Sequence, residues 1–177
     1  MEKQFETYNG IVMKVKYFVL VTINRNYNRI TREEEFLVFN PAETEPEYKE
    51  NIKNEVGIDG VLHIEFEFDK SHYHLRDCVL GKIYFNQVRI KIKQMQIDVI
   101  KKEQQGSGQT STTESEVLCK FEIMDGAPVK GEKIPVRLYL SQADLTPSYV
   151  NVNNRFSLKY FLNLVLIDEE DRRYFKS

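Results

Sequence analysis

Cysteine is scarce: Cys78 and Cys119 are the two in 177 residues, and they stand far apart in sequence. That is too few for a disulfide framework, and neither has a second thiol nearby in sequence to build a zinc knuckle. Free thiols, buried or partly exposed, are expected. Long apolar runs are missing as well; none approaches the roughly 20 residues of a spanning helix. No basic segment followed by an apolar one opens the chain, and there is no Asn-x-Ser/Thr acceptor. A cytosolic chain is the expectation. Nor does either sign of charge dominate, because 25 Lys and Arg face 27 Asp and Glu for a net charge of −2. The basic residues are interspersed with acidic ones and form no block that could neutralise phosphates, so no nucleic acid is expected as a partner.

The usual catalytic constellations are lacking too. His72 and His74 project to one face of an extended segment, with His63 and Cys78 not far away. That supplies two ligands of the three or four a metal needs, and polar surface histidines are the expectation. Ser and Thr crowd only into residues 104–115, where nothing fixes a base or an oxyanion donor around them. The Gly-Ser-Gly at 106–108 is too short for a phosphate-binding loop and lacks the helix and Lys that follow one. Four carboxylates at 168–171 are expected at a solvated hairpin tip, where they have no burial to move their pKa values apart. No enzyme, no cofactor and no metal are expected.

Strands, by contrast, are plentiful. Residues 12–24 are dense in β-branched and aromatic side chains between Asn-Gly and Asn-Arg-Asn turns, and residues 34–39 give a second strand across a loop. Residues 40–54 lapse into prolines and charges, as a linker or a short helix would. Alternation is then very clean: Leu62, Ile64, Phe66 and Phe68 point one way while His63, Glu65, Glu67 and Asp69 point the other. A further strand starts near His74. Val88, Ile90 and Ile92 occupy even positions but Met95, Ile97 and Val99 odd ones. A strand cannot slip phase without turning its side chains over, so a bulge or a crossing between sheets is required near residues 93–94. Residues 104–115, with no apolar side chain, should be an exposed mobile loop. Strands follow at 117–124, at 134–140 and, after a turn-rich segment, at 156–167, where a continuous apolar run marks a central strand. A strand returns at 172–175. With no convincing helical period, the fold class is an all-β sandwich.

The stretch 121–135 concentrates interest, because Ile123 and Met124 abut the strongest turn signal in the chain, Asp125-Gly126 with Pro128. Two readings stay open. Either these hydrophobes stand at the turn as anchors for a partner, or they finish a core strand. A different class of function, a lipid or small-ligand sandwich with a pocket between sheets, has only the aromatic content of 12% behind it.

Several blocks carry a resemblance. Residues 54–68 (Asn-Glu-Val-Gly-Ile-Asp-Gly-Val-Leu-His-Ile-Glu-Phe-Glu-Phe), 73–77, 81–85, 88–93, 122–132 (Glu-Ile-Met-Asp-Gly-Ala-Pro-Val-Lys-Gly-Glu) and 162–175 resemble the vacuolar protein sorting-associated protein 26 family of retromer subunits, in order along essentially the whole chain. The resemblance implies an arrestin-like pair of immunoglobulin-type β-sandwich subdomains with no enzymatic activity. It implies an adaptor on the cytosolic face of endosomes, serving retrieval to the Golgi or plasma membrane and reaching the membrane only through partners. The loop matching Ile123, Met124, Asp125, Gly126, Ala127, Pro128 and Val129 is then the contact for the large α-solenoid subunit. Val56 and Phe175 match positions that meet a sorting nexin and a cargo tail beside a sheet edge. The division this implies is residues 1–58 as the remnant of an N-terminal subdomain plus linker and 59–177 as the C-terminal sandwich. The resemblance further implies that these residues correspond to only the last portion of the first subdomain and stop short of a final C-terminal strand and tail that family members carry.

Overall fold

The computed structural model describes residues 5–40, 50–106, 110–152 and 155–177. Parts of three expected segments, at 41–49, 107–109 and 153–154, lie outside these residues. The strands are β1 (Tyr8–Asn9), β2 (Lys14–Val15), β3 (Tyr17–Asn24), β4 (Arg29–Phe36), β5 (Ile52–Ile58), β6 (Leu62–Phe68) and β7 (Cys78–Val88). They continue with β8 (Ile92–Gln105), β9 (Thr112–Asp125), β10 (Lys133–Tyr139), β11 (Tyr149–Val152), β12 (Phe156–Asp168) and β13 (Arg173–Lys176). A short 3-10 turn covers Leu140–Gln142, and among the described residues there is no α-helix.

Two antiparallel sheets make a β-sandwich. One runs β10-β7-β6-β5; the other runs β11-β12-β8-β9, with β13 also on β12. The alternation at 62–68 does what its period dictates, placing Leu62, Ile64, Phe66 and Phe68 inside, each at most 4% exposed. They meet Ile83 and Phe85 of β7 and Leu138 of β10, and face Met95, Ile97, Leu164 and Leu166 of the second sheet. Each fully buried side chain of this size contributes about 1.5–3 kcal/mol. The sandwich already includes β5, which pairs with β6 from Ile52↔Phe68 to Ile58↔Leu62. It therefore begins at Ile52, inside the segment expected to be a linker.

The phase slip has the anticipated cause. The chain crosses from the first sheet to the second between β7 and β8, and the β8–β12 register jumps from Gln94↔Ile167 to Ile92↔Asp168, leaving Lys93 as the extra residue. Strand β12 is central, with β8 on one side and β11 and β13 on the other, which accounts for its continuous apolar run.

Two further expectations fail. Of the expected loop at 104–115, residues 104–105 end β8 and residues 112–115 form the exposed first part of β9, paired with β8 from Gln105↔Thr112 onward. An edge strand can be this polar because nothing packs on it. The four acids at 168–171 are not all solvated either. Asp168 is 2% exposed and accepts hydrogen bonds from the Glu170 N–H (3.0 Å), the Arg172 N–H (2.9 Å), Arg172 Nε (2.8 Å) and the Tyr174 hydroxyl (2.9 Å). Burial pushes its carboxyl upward, but these donors outweigh it and hold the pKa down at about 2.

The first residues build a second, smaller core. Tyr8 packs with Tyr149, Val152, Phe156 and Leu158, joined by Val12, Met13 and Val15. Glu103, 1% exposed, anchors the segment: it accepts from the Tyr8 hydroxyl, the Ile11 N–H (3.1 Å) and the Val12 N–H (2.9 Å), while Lys101 Nζ stands 3.6 Å away. Burial raises the Glu103 pKa, yet the hydrogen bonds from Tyr8, Val12 and Ile11 and the Lys101 charge bring it below the ordinary value. Gly10 makes the approach possible, since a Cβ there would lie 2.5 Å from Glu103 Oε1. Strands β3 and β4 form a separate hairpin, closed by a turn from the Arg25 N–H to the Asn28 carbonyl (2.8 Å) and so tighter than the expected loop. Phe18, Val19, Leu20, Val21 and Ile23 on β3 all remain about half exposed.

Candidate partner-docking surface

The β9–β10 connection is fixed at both roots. At its start, the β8–β9 register jumps from Gln96↔Glu122 to Met95↔Met124, so Ile123 is a bulge residue. A regular strand would send Ile123 and Met124 to opposite faces; the bulge turns both toward the sandwich, where they pack, half buried, against the core. Both expected anchors thus sit in strand and not at the loop tip. Each combines a core contact with a partly exposed surface.

Beyond Asp125, Gly126 takes φ +115°, a conformation for which only glycine is unstrained, and its N–H donates to the Lys93 carbonyl (2.8 Å). Pro128 is buried, whereas Ala127 is exposed and Val129 is 67% exposed. The far root returns through Gly131 N–H to the Phe85 carbonyl (2.7 Å) and Phe85 N–H to the Glu132 carbonyl (3.0 Å). Between them, Val129 N–H donates to Glu132 Oε2 (2.8 Å). The loop is therefore a shaped platform with its exposed apolar surface on Ala127 and Val129, and with Ile123 and Met124 at its β9 root.

The second pair of expected site residues sits at the opposite edges of the two sheets. Val56 on β5 is half buried against the core, and Phe175 on β13, paired with Val165, is 67% exposed. Strand β13 lies alongside β5, so the two edges meet there. Next to this seam a shallow groove opens over Lys53, Glu55, Glu67, Tyr84, Asn86 and Lys176. In it the Tyr84 hydroxyl donates to Glu67 Oε1 (2.8 Å), which lowers the Glu67 pKa.

Other candidates do not assemble. His63 Nε2 lies 3.2 Å from Glu55 Oε2, His72 Nδ1 bonds Ser71 (2.9 Å), and His74 Nδ1 accepts from the Arg76 N–H (3.2 Å). Among the described residues no three His, Cys, Asp or Glu side chains converge on a common point. Cys119 is half buried on β9, and burial pushes its thiol up despite a hydrogen bond involving the backbone of Val99, away from reactivity. Space between the sheets is taken by Phe85, Ile64, Ile83 and Ile97, each fully buried, which disfavours an inter-sheet lipid pocket. The pins at Lys93 and Phe85 escaped the sequence reading, because they act through backbone atoms. Glu103 also escaped it, although the odd phase of Met95, Ile97 and Val99 continues to Lys101 and Glu103 and marks a carboxylate on an inward face.

Residues 1–171 match the family model described as vacuolar protein sorting-associated protein 26. The chain belongs to this family. It is 58% identical over 177 residues to vacuolar protein sorting-associated protein 26 of Dictyostelium discoideum, covering 99% of this chain and 50% of that one. It is 55% identical to the Plasmodium falciparum protein of the same name, covering 99% of this chain and 59% of that one. The Drosophila melanogaster protein is also 55% identical, over 176 residues, with 99% of this chain and 37% of that one covered. The chain thus spans about half the length of the vacuolar protein sorting-associated protein 26 relatives it matches. Among its described residues no helix is long and apolar enough to cross a membrane.

Proposed function

We propose that this chain is the docking half of a non-enzymatic retromer adaptor, which holds the large α-solenoid subunit and helps recruit a sorting nexin and cargo tails for retrieval from endosomes. The observation that carries the reading is the pinned β9–β10 loop: in a member of this family, exposed apolar surface stands on a backbone whose shape is set before any partner arrives. The solenoid contact falls on Ala127 and Val129, with Ile123 and Met124 beneath and beside them, while Asp125, Gly126 and Pro128 shape the loop. The β5–β13 seam, with Val56 and Phe175, receives the sorting nexin and an extended cargo segment, because a strand edge can add a peptide through its main chain. Residues before β5 are the end of an N-terminal arrestin-like subdomain, held to the C-terminal sandwich by Glu103. The protein works on the cytosolic face of endosomes and meets the membrane through its partners.

Capture of the purified solenoid subunit on immobilised chain tests the proposal. Wild type should retain it and Val129→Asp should retain clearly less, at unchanged circular dichroism and melting temperature. Equal capture by both removes the loop from the interface.

A further inference from the structure

The far end of the five-stranded sheet sorts its side chains by type. Directly paired residues of an antiparallel ladder share a face. On the inward side the rows are Glu114↔Glu103↔Leu158 and Glu116↔Lys101↔Tyr160. On the outward side they are Thr113↔Gln104↔Ser157 and Ser115↔Lys102↔Lys159. Every carboxylate of these rows faces inward, and the outward rows hold three hydroxyls, one amide and two lysines. Neither Lys102 nor Lys159 has a carboxylate partner among the described residues; the Lys102 ammonium lies 4.4 Å over the Phe161 ring. The Thr113 and Ser115 hydroxyls on β9 are exposed, and β9 is an edge strand whose other side pairs with nothing among the described residues.

Thr113 is followed by Glu114, which makes no ion pair among the described residues. Three positions on comes Glu116, whose side chain is 46% exposed although it meets Lys101 at 2.7 Å. An exposed hydroxyl with carboxylates at the next and third following positions, on an extended strand with one free edge, is the form of substrate an acid-directed serine/threonine kinase takes. We infer that Thr113 is a phosphorylation site and that its phosphate is received by Lys102, with Lys159 behind it, on the outward face of the sheet. In the transfer, Thr113 Oγ1 attacks the γ-phosphorus of ATP, the bond to the β-phosphate oxygen breaks, ADP leaves, and the hydroxyl proton passes to the kinase aspartate. The product replaces a neutral hydroxyl by about −1.5 to −2 charges diagonally across from Lys102, a cross-strand separation of about 7–8 Å that a lysine side chain spans. The charge of the two lysines on this face is neutralised, and the end of the edge strand gains a tie to β8.

The test is phosphorylation of the folded chain by casein kinase II with magnesium and ATP, followed by site mapping and a phosphorus NMR titration. One phosphate should appear at Thr113, vanish in Thr113→Val, and form more slowly in Glu114→Gln. Its second pKa should fall below the usual value of about 6 and return toward it in Lys102→Gln, a response that a merely structural role of Lys102 does not produce. Phosphate mapped elsewhere, or none on the folded chain while a peptide of residues 110–118 accepts it, overturns the site. An identical phosphate pKa in wild type and Lys102→Gln overturns the receiving lysine.

Discussion

Replacing Val129 by aspartate separates contact from fold more cleanly than any change at Ile123 or Met124. Val129 is 67% exposed, and its ties to the loop are made by its backbone: the N–H to Glu132 Oε2 and the carbonyl from the Glu132 N–H (3.1 Å). An aspartate keeps both. Full burial of a valine side chain is worth about 1.5–3 kcal/mol, so covering the two thirds that Val129 shows contributes about 1–2 kcal/mol. Losing that contact weakens binding about five- to thirtyfold, and desolvating the new carboxylate adds to the loss. Stability should move by no more than about 0.5 kcal/mol, as for other surface substitutions. Isothermal titration against the solenoid subunit, beside differential scanning calorimetry of the free chain, gives both numbers. Unchanged affinity at a wild-type melting temperature refutes the reasoning; a large drop in melting temperature refutes the claim that the side chain stands free of the fold.

The Ile123→Asp, Met124→Asp double variant should lose capture but also be destabilised, by about 1–3 kcal/mol for each side chain, because both pack on the core; a melting temperature equal to wild type contradicts the bulged geometry. Glu103→Gln should cost about 1–3 kcal/mol, since the buried donors of Tyr8, Ile11 and Val12 lose a charged acceptor. Hydrogen exchange should then quicken at the Ile11 and Val12 amides while the Ile83 amide stays protected. Asp168 has a folded pKa of about 2, depressed from an unfolded value of about 3.9. Its contribution is complete above pH 4 and is lost as pH falls toward 2. Wild type should therefore lose melting temperature across that window more steeply than Asp168→Asn, and parallel profiles exclude the effect.

What the residues themselves made legible was whatever obeyed a period. Leu62 to Phe68 alternate cleanly because β6 is half buried along its whole length, and the odd-even break around Lys93 could be resolved only by a bulge or a crossing. Strand β5 was not legible, because its inward face offers Ile52 and Val56 with Asn54 between them, too thin an apolar pattern for an edge strand. The start of β9 was hidden for the opposite reason: Thr112 to Glu116 cover no core, so hydrogen bonding to β8 alone makes them strand. Asp168 looked solvated within a run of four acids, and its burial depends on how the hairpin folds back on it. Glu103 meets partners more than ninety positions away, a distance no local pattern spans. For the loop, turn chemistry located Gly126 and Pro128, while the orientation of Ile123 and Met124 depended on a register jump against Met95 that alternation alone does not encode.

The two register jumps in β9, at Leu118 and at Ile123, also bear on solubility. A bulge interrupts the even spacing of main-chain donors and acceptors along a free edge, so this strand, the longest edge in the molecule, is a poor template for another chain. Strand β3 has no such defect: its register with β4 runs unbroken from Tyr17↔Phe36 to Asn24↔Arg29, and its apolar side chains are open on both faces. Concentrated solutions of this chain should therefore associate through β3 and leave β9 free. Sedimentation should show wild type associating with rising concentration and Val21→Lys remaining monomeric; equal association of both refutes the assignment to β3.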